Sequence, residues 1–139
     1  LEALAGEIAR EMGGVHLLIN NAGINTRGGR VPLHQFDLTD WNRILDVDLN
    51  GVFLTSRAFL PQMFQAGGGR IVNISSIAGL VPLRLQSAYV AAKAAVANLT
   101  RSMALEYGPQ GILVNGVAPG STLTRGTEAL FYGPDGAYT

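Results

Sequence analysis

The sequence has no cysteine in 139 residues. That removes a disulfide framework, a thiolate nucleophile and any cysteine-ligated metal. Charge is scarce as well: Asp, Glu, Lys and Arg make up 14% of the chain, and ten basic residues cancel ten acidic ones. A net charge of zero argues against a basic groove for nucleic acid or a surface for anionic lipid. No apolar run approaches the roughly 18–20 residues that span a bilayer, and no secretory leader opens the chain. These absences lead to the expectation of a cytoplasmic protein with neither membrane nor nucleic acid as partner. His16 and His34 have no metal-spaced companion, so no metal site is expected.

What remains is 47% hydrophobic, enough for a sizeable core and too much for disorder. Glycine is the excess: 18 residues in 139, where about 7% is usual. Leu1 is not a start methionine, and the first residues read as the middle of a helix, so a piece of a longer protein is expected.

Leu1, Leu4, Ile8 and Met12 recur at helical spacing, and Gly13-Gly14 supply a stop. Residues 15–20 (VHLLIN) form a short apolar run of the kind buried on both faces of a sheet. A Gly-, Asn- and Pro-rich loop follows to Leu38. A second helix is expected from a cap at Thr39 or Asp40, with Trp41, Ile44, Leu45, Leu49, Val52, Phe53 and Phe59 apolar, and with Pro61 bending or ending it. The second strand is RIVNISS, residues 70–76. A third, alanine-rich helix runs from about Ser87 to Tyr107, and the third strand is ILVNGV, residues 112–117. This alternation predicts a single α/β domain over 1–139: a doubly wound parallel sheet with helices on both faces.

Ligands of such sheets bind beyond the carboxyl ends of the strands. All three strands end in small polar residues: Asn20-Asn21-Ala22-Gly23, Ser75-Ser76 and Ala118-Pro119-Gly120. The sharpest constellation is Ser76, Tyr89 and Lys93. Tyr89 and Lys93, four apart in a helix, project from one face. A phenol ordinarily titrates near 10, too high for easy proton exchange at neutral pH, and a neighbouring cation favours the phenolate. Other features carry less. Asn73-Ile-Ser75 and Asn98-Leu-Thr100 match a glycosylation pattern, but they fall in a strand and a helix. Arg84 reads as a solvated loop residue, and Asn115 as a structural one.

The ordered set Asn20-Asn21-Ala22-Gly23, Ser76, Tyr89-Val-Ala-Ala-Lys93 and Asn115-Gly-Val-Ala-Pro-Gly120, with Ser76 and Tyr89 thirteen positions apart, resembles the short-chain dehydrogenase/reductase family. The resemblance covers Leu1 to about Thr127. It implies a Rossmann-like fold and an NAD(P)-dependent oxidoreductase interconverting a secondary alcohol and a ketone. Tyr89 would be the general acid/base. Lys93 would support Tyr89 and hold the nicotinamide ribose, and Ser76 would hydrogen-bond the substrate oxygen. The cofactor, NAD or NADP, would also meet Asn20, Ala22, Gly23, Ile74, Pro119, Gly120, Thr122 and Thr124. One position departs from the family: Asp48, in Val47-Asp48-Leu49, stands where an asparagine is usual, and it joins the candidate catalytic residues.

The family's helices that correspond to the second and third here pair subunits. A homodimer or homotetramer is therefore implied, through Phe53, Phe59, Phe64 and the alanines at 91, 92, 94, 95 and 97. No glycine-rich phosphate-binding segment occurs, so only the catalytic half is expected, with the N-terminal strands and the C-terminal part of the fold lying elsewhere. Alone, these residues are expected to turn over little. A non-catalytic nucleotide-binding or scaffolding role is the alternative reading.

Overall fold

A computed structural model describes residues 1–27, 29–124, 132 and 137. Helix α1 (Glu2–Met12) ends as expected, at Gly13 in the left-handed conformation with φ of 78°. Its apolar stripe is less buried than the spacing suggested. Ala5 is covered, whereas Leu4 and Met12 are exposed. The helix is tied down instead by Gln62, whose amide donates to the Ala5 carbonyl at 2.7 Å and accepts from the Val15 N–H at 3.1 Å.

Strands β1 (Leu17–Asn20), β2 (Gly69–Ile74) and β3 (Ile112–Val117) form one parallel sheet in the order β1-β2-β3. Asn20 stands opposite Asn73, and Asn73 opposite Gly116. The crossovers are helical, as a parallel sheet requires. The first is α2 (Leu38–Leu45), a wide π turn (Asp46–Asn50) and α3 (Gly51–Gln65); the second is α4 (Ser87–Tyr107).

Several expectations need correction here. The cap of α2 is Asp37, whose carboxylate accepts from the Asp40 N–H at 2.8 Å, rather than Thr39 or Asp40. Pro61 does not end its helix: α3 runs on to Gln65. Pro61 and Arg57 both lie on the exposed side, where water can serve the carbonyl that a missing proline N–H leaves free. The helices do not cover both faces. Leu60 and Met63 of α3 and Met103 of α4 join Ile71, Ile112 and Val114 in one core on one side of the sheet. The opposite face is open among the described residues, with Leu17 51%, Ile19 55%, Leu113 52% and Val117 48% exposed. So β1 is not buried on both faces. Successive crossovers of one hand carry their helices to the same side, and covering the other side takes further elements.

A second cluster, Ile44, Ala88 and Ala92 with Ile24, Phe36, Trp41, Leu45 and Leu49, seats α2 against the start of α4. Phe36 and Trp41 meet edge to face at 6.1 Å. The second cluster lies beside the carboxyl end of the sheet, through Ile24 in the loop after β1, and it fixes the start of α4 relative to the strand ends.

Candidate active site

The three strand ends are laced together. The Ser75 N–H donates to the Val117 carbonyl at 2.8 Å, and the Ile77 N–H to the Pro119 carbonyl at 2.9 Å. The loops after β2 and β3 therefore form one rim. Ser76 caps the short 3-10 turn Ile77–Gly79: its Oγ accepts from the Ala78 N–H at 3.1 Å, which leaves the hydroxyl proton available to donate. Gly79 then lets this turn rest on α4. A Cβ at Gly79 would lie 2.5 Å from both the carbonyl carbon and oxygen of Lys93, a contact no side chain tolerates. Ser75 completes the junction by donating from Oγ to the Lys93 carbonyl at 2.7 Å.

Tyr89 is half-buried and Lys93 buried on α4. The Lys93 ammonium sits 5.6 Å from the centre of the Tyr89 ring, as the four-residue spacing implied. It donates to the Ile74 carbonyl at 3.2 Å. It also lies 3.2 Å from Oδ2 of Asp48, with side-chain exposures of 5% and 0%. Asp48 arrives there because the chain opens into a π turn at 46–50, a distortion common where a helix must aim a side chain into a site. Its other oxygen, Oδ1, accepts from the Ile24 N–H at 2.8 Å. Lys93 is the only lysine in the sequence.

Of the other candidates, Ala22 and Gly23 are exposed at the mouth, and Pro119, Gly120, Thr122 and Thr124 form an exposed segment beyond β3. Gly23 is close-packed on its inner side: a Cβ there would stand 3.1 Å from Lys93 Nζ and 3.2 Å from Asp48 Oδ2. Open space surrounds Gly120. Ile74 contributes its carbonyl to Lys93. Asn20 differs from the rest. Its side chain is buried and committed: its amide donates to Ser56 at 3.1 Å and to Asn73 at 2.8 Å, and its oxygen accepts from Thr55 at 2.6 Å. Asn73 in turn donates to Thr100 at 3.0 Å, and Thr100 to the Val96 carbonyl at 2.7 Å. This polar chain crosses the sheet beneath the site, and sequence reasoning missed it. Its signal was the pair of asparagines, each closing an apolar strand pattern.

The profile of the short chain dehydrogenases matches residues 1–133. The chain belongs to the short-chain dehydrogenase family. Within it, the chain is 50% identical over 116 residues to a 3-alpha-(or 20-beta)-hydroxysteroid dehydrogenase of Mycobacterium bovis, covering 84% of this chain and 44% of that protein. It is 48% identical over 118 residues to a cis-4-hydroxycyclohexanecarboxylate dehydrogenase of Sinomonas cyclohexanicum, covering 85% and 47%. A crystal structure of a gluconate 5-dehydrogenase from Burkholderia cenocepacia, in complex with NADP and tartrate, superposes with a TM-score of 0.90 at 32% identity, covering 99% of this chain and 57% of that one. The chain thus spans about half the length of the curated dehydrogenases it matches.

Outside the site, partial desolvation pushes the Asp40 carboxyl up. Hydrogen bonds from Arg43 and the Arg27 N–H, with both guanidinium charges, outweigh that and hold it below its ordinary value. Burial pushes the Tyr107 phenol up, and Glu106 adds to the effect. Among the described residues no helix is long and apolar enough to cross a membrane.

Proposed function

We propose that this chain carries the catalytic part of an NAD(P)-linked oxidoreductase that interconverts a secondary alcohol and a ketone, with Tyr89 as the general acid/base. The observation that carries the reading is the Lys93 ammonium, withdrawn from water and set 5.6 Å from the Tyr89 ring at the carboxyl edge of a parallel sheet. A cation so placed can stabilise negative charge that develops at the reacting oxygens during proton transfer. In oxidation Tyr89 takes the hydroxyl proton of the alcohol; in reduction it returns a proton to the carbonyl oxygen. Ser76 keeps its proton free to donate to the same oxygen as charge develops there.

The residues present fit a nicotinamide nucleotide. Gly23 offers a backbone surface without a Cβ, and Gly120 has open space around it. Of the three N–H groups of Lys93, one goes to Ile74 and one faces Asp48, so among the described residues a third is left for ribose hydroxyls. Ala22, Pro119, Thr122 and Thr124 extend the same surface, and Asn20 contributes by fixing the end of β1. Held there, the nicotinamide would supply the hydride-transfer chemistry that this chain's own side chains lack.

The relatives named for hydroxysteroids and hydroxycyclohexanecarboxylates favour a ring-bearing alcohol. Exposed Leu80, Val81 and Leu83, just beyond Ser76, suit an apolar ring. Self-association belongs to the same proposal. Phe59 and Ala92 are buried in the core, which leaves exposed Phe53 and Phe64 of α3 for a partner subunit.

The test is nicotinamide-coupled oxidation of a panel of cyclic secondary alcohols by the complete protein carrying this chain, followed at 340 nm. Tyr89→Phe should lower the rate by roughly 100- to 10,000-fold. Wild-type turnover in that variant would refute the assignment.

A further inference from the structure

Gln86 is a buried polar side chain that the chemistry above does not use. It is 5% exposed, it caps nothing, and among the described residues its amide has no hydrogen-bond partner. Yet the amide is not sealed away. Among the described residues, the buried side-chain atom cut off from both partners and water is Asp48 Oδ2. Gln86 thus keeps an opening, with its NH2 donors and its carbonyl acceptor unspent. An amide left unpaired at that depth costs stability. Glutamine is also a poor choice for the position. Gln86 is the N-cap of α4, where Ser, Thr, Asp or Asn would bond the free N–H groups of the first turn.

The backbone is bent to present this side chain. Leu85 is the described non-glycine residue with a positive φ, at 64°. That conformation is costly for leucine and clusters at functional sites. Its carbonyl accepts from the Val31 N–H at 3.0 Å, so the loop after β1 holds the bend in place. Direction follows from α4. Gln86, Tyr89, Lys93, Val96, Thr100 and Met103 recur at three- and four-residue spacing and form one row. At the far end of the row Met103 packs with Ile112 and Thr100 meets Asn73, so the row faces the sheet. Lys93 reaches the last carbonyl of β2, at Ile74, and the row then passes beyond the strand ends. Tyr89 and Gln86 lie there, one helical turn apart, on the side of the site.

We propose that Gln86 is a specificity-determining residue: its amide hydrogen-bonds a second, uncharged oxygen of the substrate, a hydroxyl or ketone set across the ring from the alcohol that Tyr89 handles. This rests on the assignment of Tyr89 made above. Residues three apart on a helix carry Cβ atoms about 5–6 Å apart, a spacing comparable to the width of a six-membered ring. An amide donates and accepts at once, so it can meet a hydroxyl with either polarity and a ketone through its NH2. A carboxylate suits the place less well. Lys93 is already engaged by Asp48 and Ile74, and Arg84 stands exposed. An anion buried against an uncharged amide alone is costly.

Reduced nicotinamide, added to the complete protein carrying this chain, lets alcohols bind without being oxidised. Under that condition trans-1,4-cyclohexanediol should shift the 15N side-chain amide resonance of Gln86, identified by its loss in Gln86→Met. Cyclohexanol should leave it in place. A resonance unmoved by the diol, or moved equally by both alcohols, would overturn the proposal. A larger shift with 4-hydroxycyclohexanecarboxylate than with the diol would overturn it in favour of an anion. Should Gln86→Met fail to fold, Gln86→Glu identifies the resonance equally well, and the wild-type shifts decide. In turnover, wild type should favour the diol over cyclohexanol by roughly 5- to 10-fold in kcat/KM, the worth of one hydrogen bond. Gln86→Met should bring that ratio close to one; an unchanged ratio would refute the role. The resonance shifts need no turnover, so their failure is distinct from retained activity in Tyr89→Phe.

Discussion

Replacing Asn73 with alanine should be among the costliest single changes in the chain that touch no catalytic group. Asn73 is fully buried and makes two side-chain hydrogen bonds, accepting from Asn20 and donating to Thr100. Each such bond contributes about 1 kcal/mol net. Neither partner is wholly abandoned: Asn20 keeps Ser56, and Thr100 keeps the Val96 carbonyl. One N–H of Asn20 is nonetheless stranded, so the lost bonds cost about 2–4 kcal/mol, with roughly 1 more for the cavity. Urea unfolding followed through the fluorescence of Trp41, the single tryptophan, should show a lower midpoint at unchanged slope. Thr100→Val strands one N–H of Asn73 and should cost about 1–3 kcal/mol by itself. In the Asn73→Ala background that N–H is gone, and the same change should cost at least about 1 kcal/mol less. Strictly additive effects, within about 0.5 kcal/mol, would show that the asparagine and threonine are separate residues that merely touch.

Two further outcomes concern glycine and acid. Gly79→Ala drives a Cβ into the Lys93 backbone and should destabilise by about 2–3 kcal/mol in the same unfolding assay. Gly120→Ala meets nothing within 4 Å; it should leave stability within about 0.5 kcal/mol while weakening nicotinamide binding in the complete protein, measured by calorimetry. The Asp40 carboxyl is depressed in the folded state from an ordinary value of 3.8. The stability it contributes is thus present above that value and lost as pH falls through the lower, folded one. The pair is partly exposed, so Arg43→Met should flatten the urea midpoint between pH 5 and 2.5 by only about 0.5 kcal/mol equivalent; an unchanged acid dependence would contradict the pairing.

The elements most legible in the sequence were those whose local chemistry agreed with their tertiary role. Helix α4 spans Ser87–Tyr107 as expected, because its alanine-rich run meets no breaker before Gly108-Pro109. Strand β3 is the same, bounded by Gly111 and Ala118-Pro119. The pairing of Tyr89 with Lys93 follows from helical spacing alone. The π turn was invisible, since Asp46–Asn50 continues the apolar period of its neighbours and one extra residue in a turn leaves no mark on composition. The cap of α2 was misplaced because Asp37, Thr39 and Asp40 are all competent caps, and only backbone geometry chooses among them. The one-sided covering of the sheet lay beyond sequence reasoning for another reason. An apolar residue on a strand shows that its face favours burial, not that a helix lies there.

The lone lysine has a practical consequence. A protease that cuts only after lysine has one site in this chain, in the first half of α4 and against the end of β2. Cleavage there requires α4 to come away from the rim that Ser75 and Gly79 hold. When opening and closing are fast relative to cutting, the cleavage rate follows the population of open molecules. Because the scissile residue is Lys93 itself, each cut records a moment when the Tyr89–Lys93–Asp48 cluster was dismantled. The chain therefore carries its own gauge of how often its site falls apart, read as the appearance of two fragments on a gel.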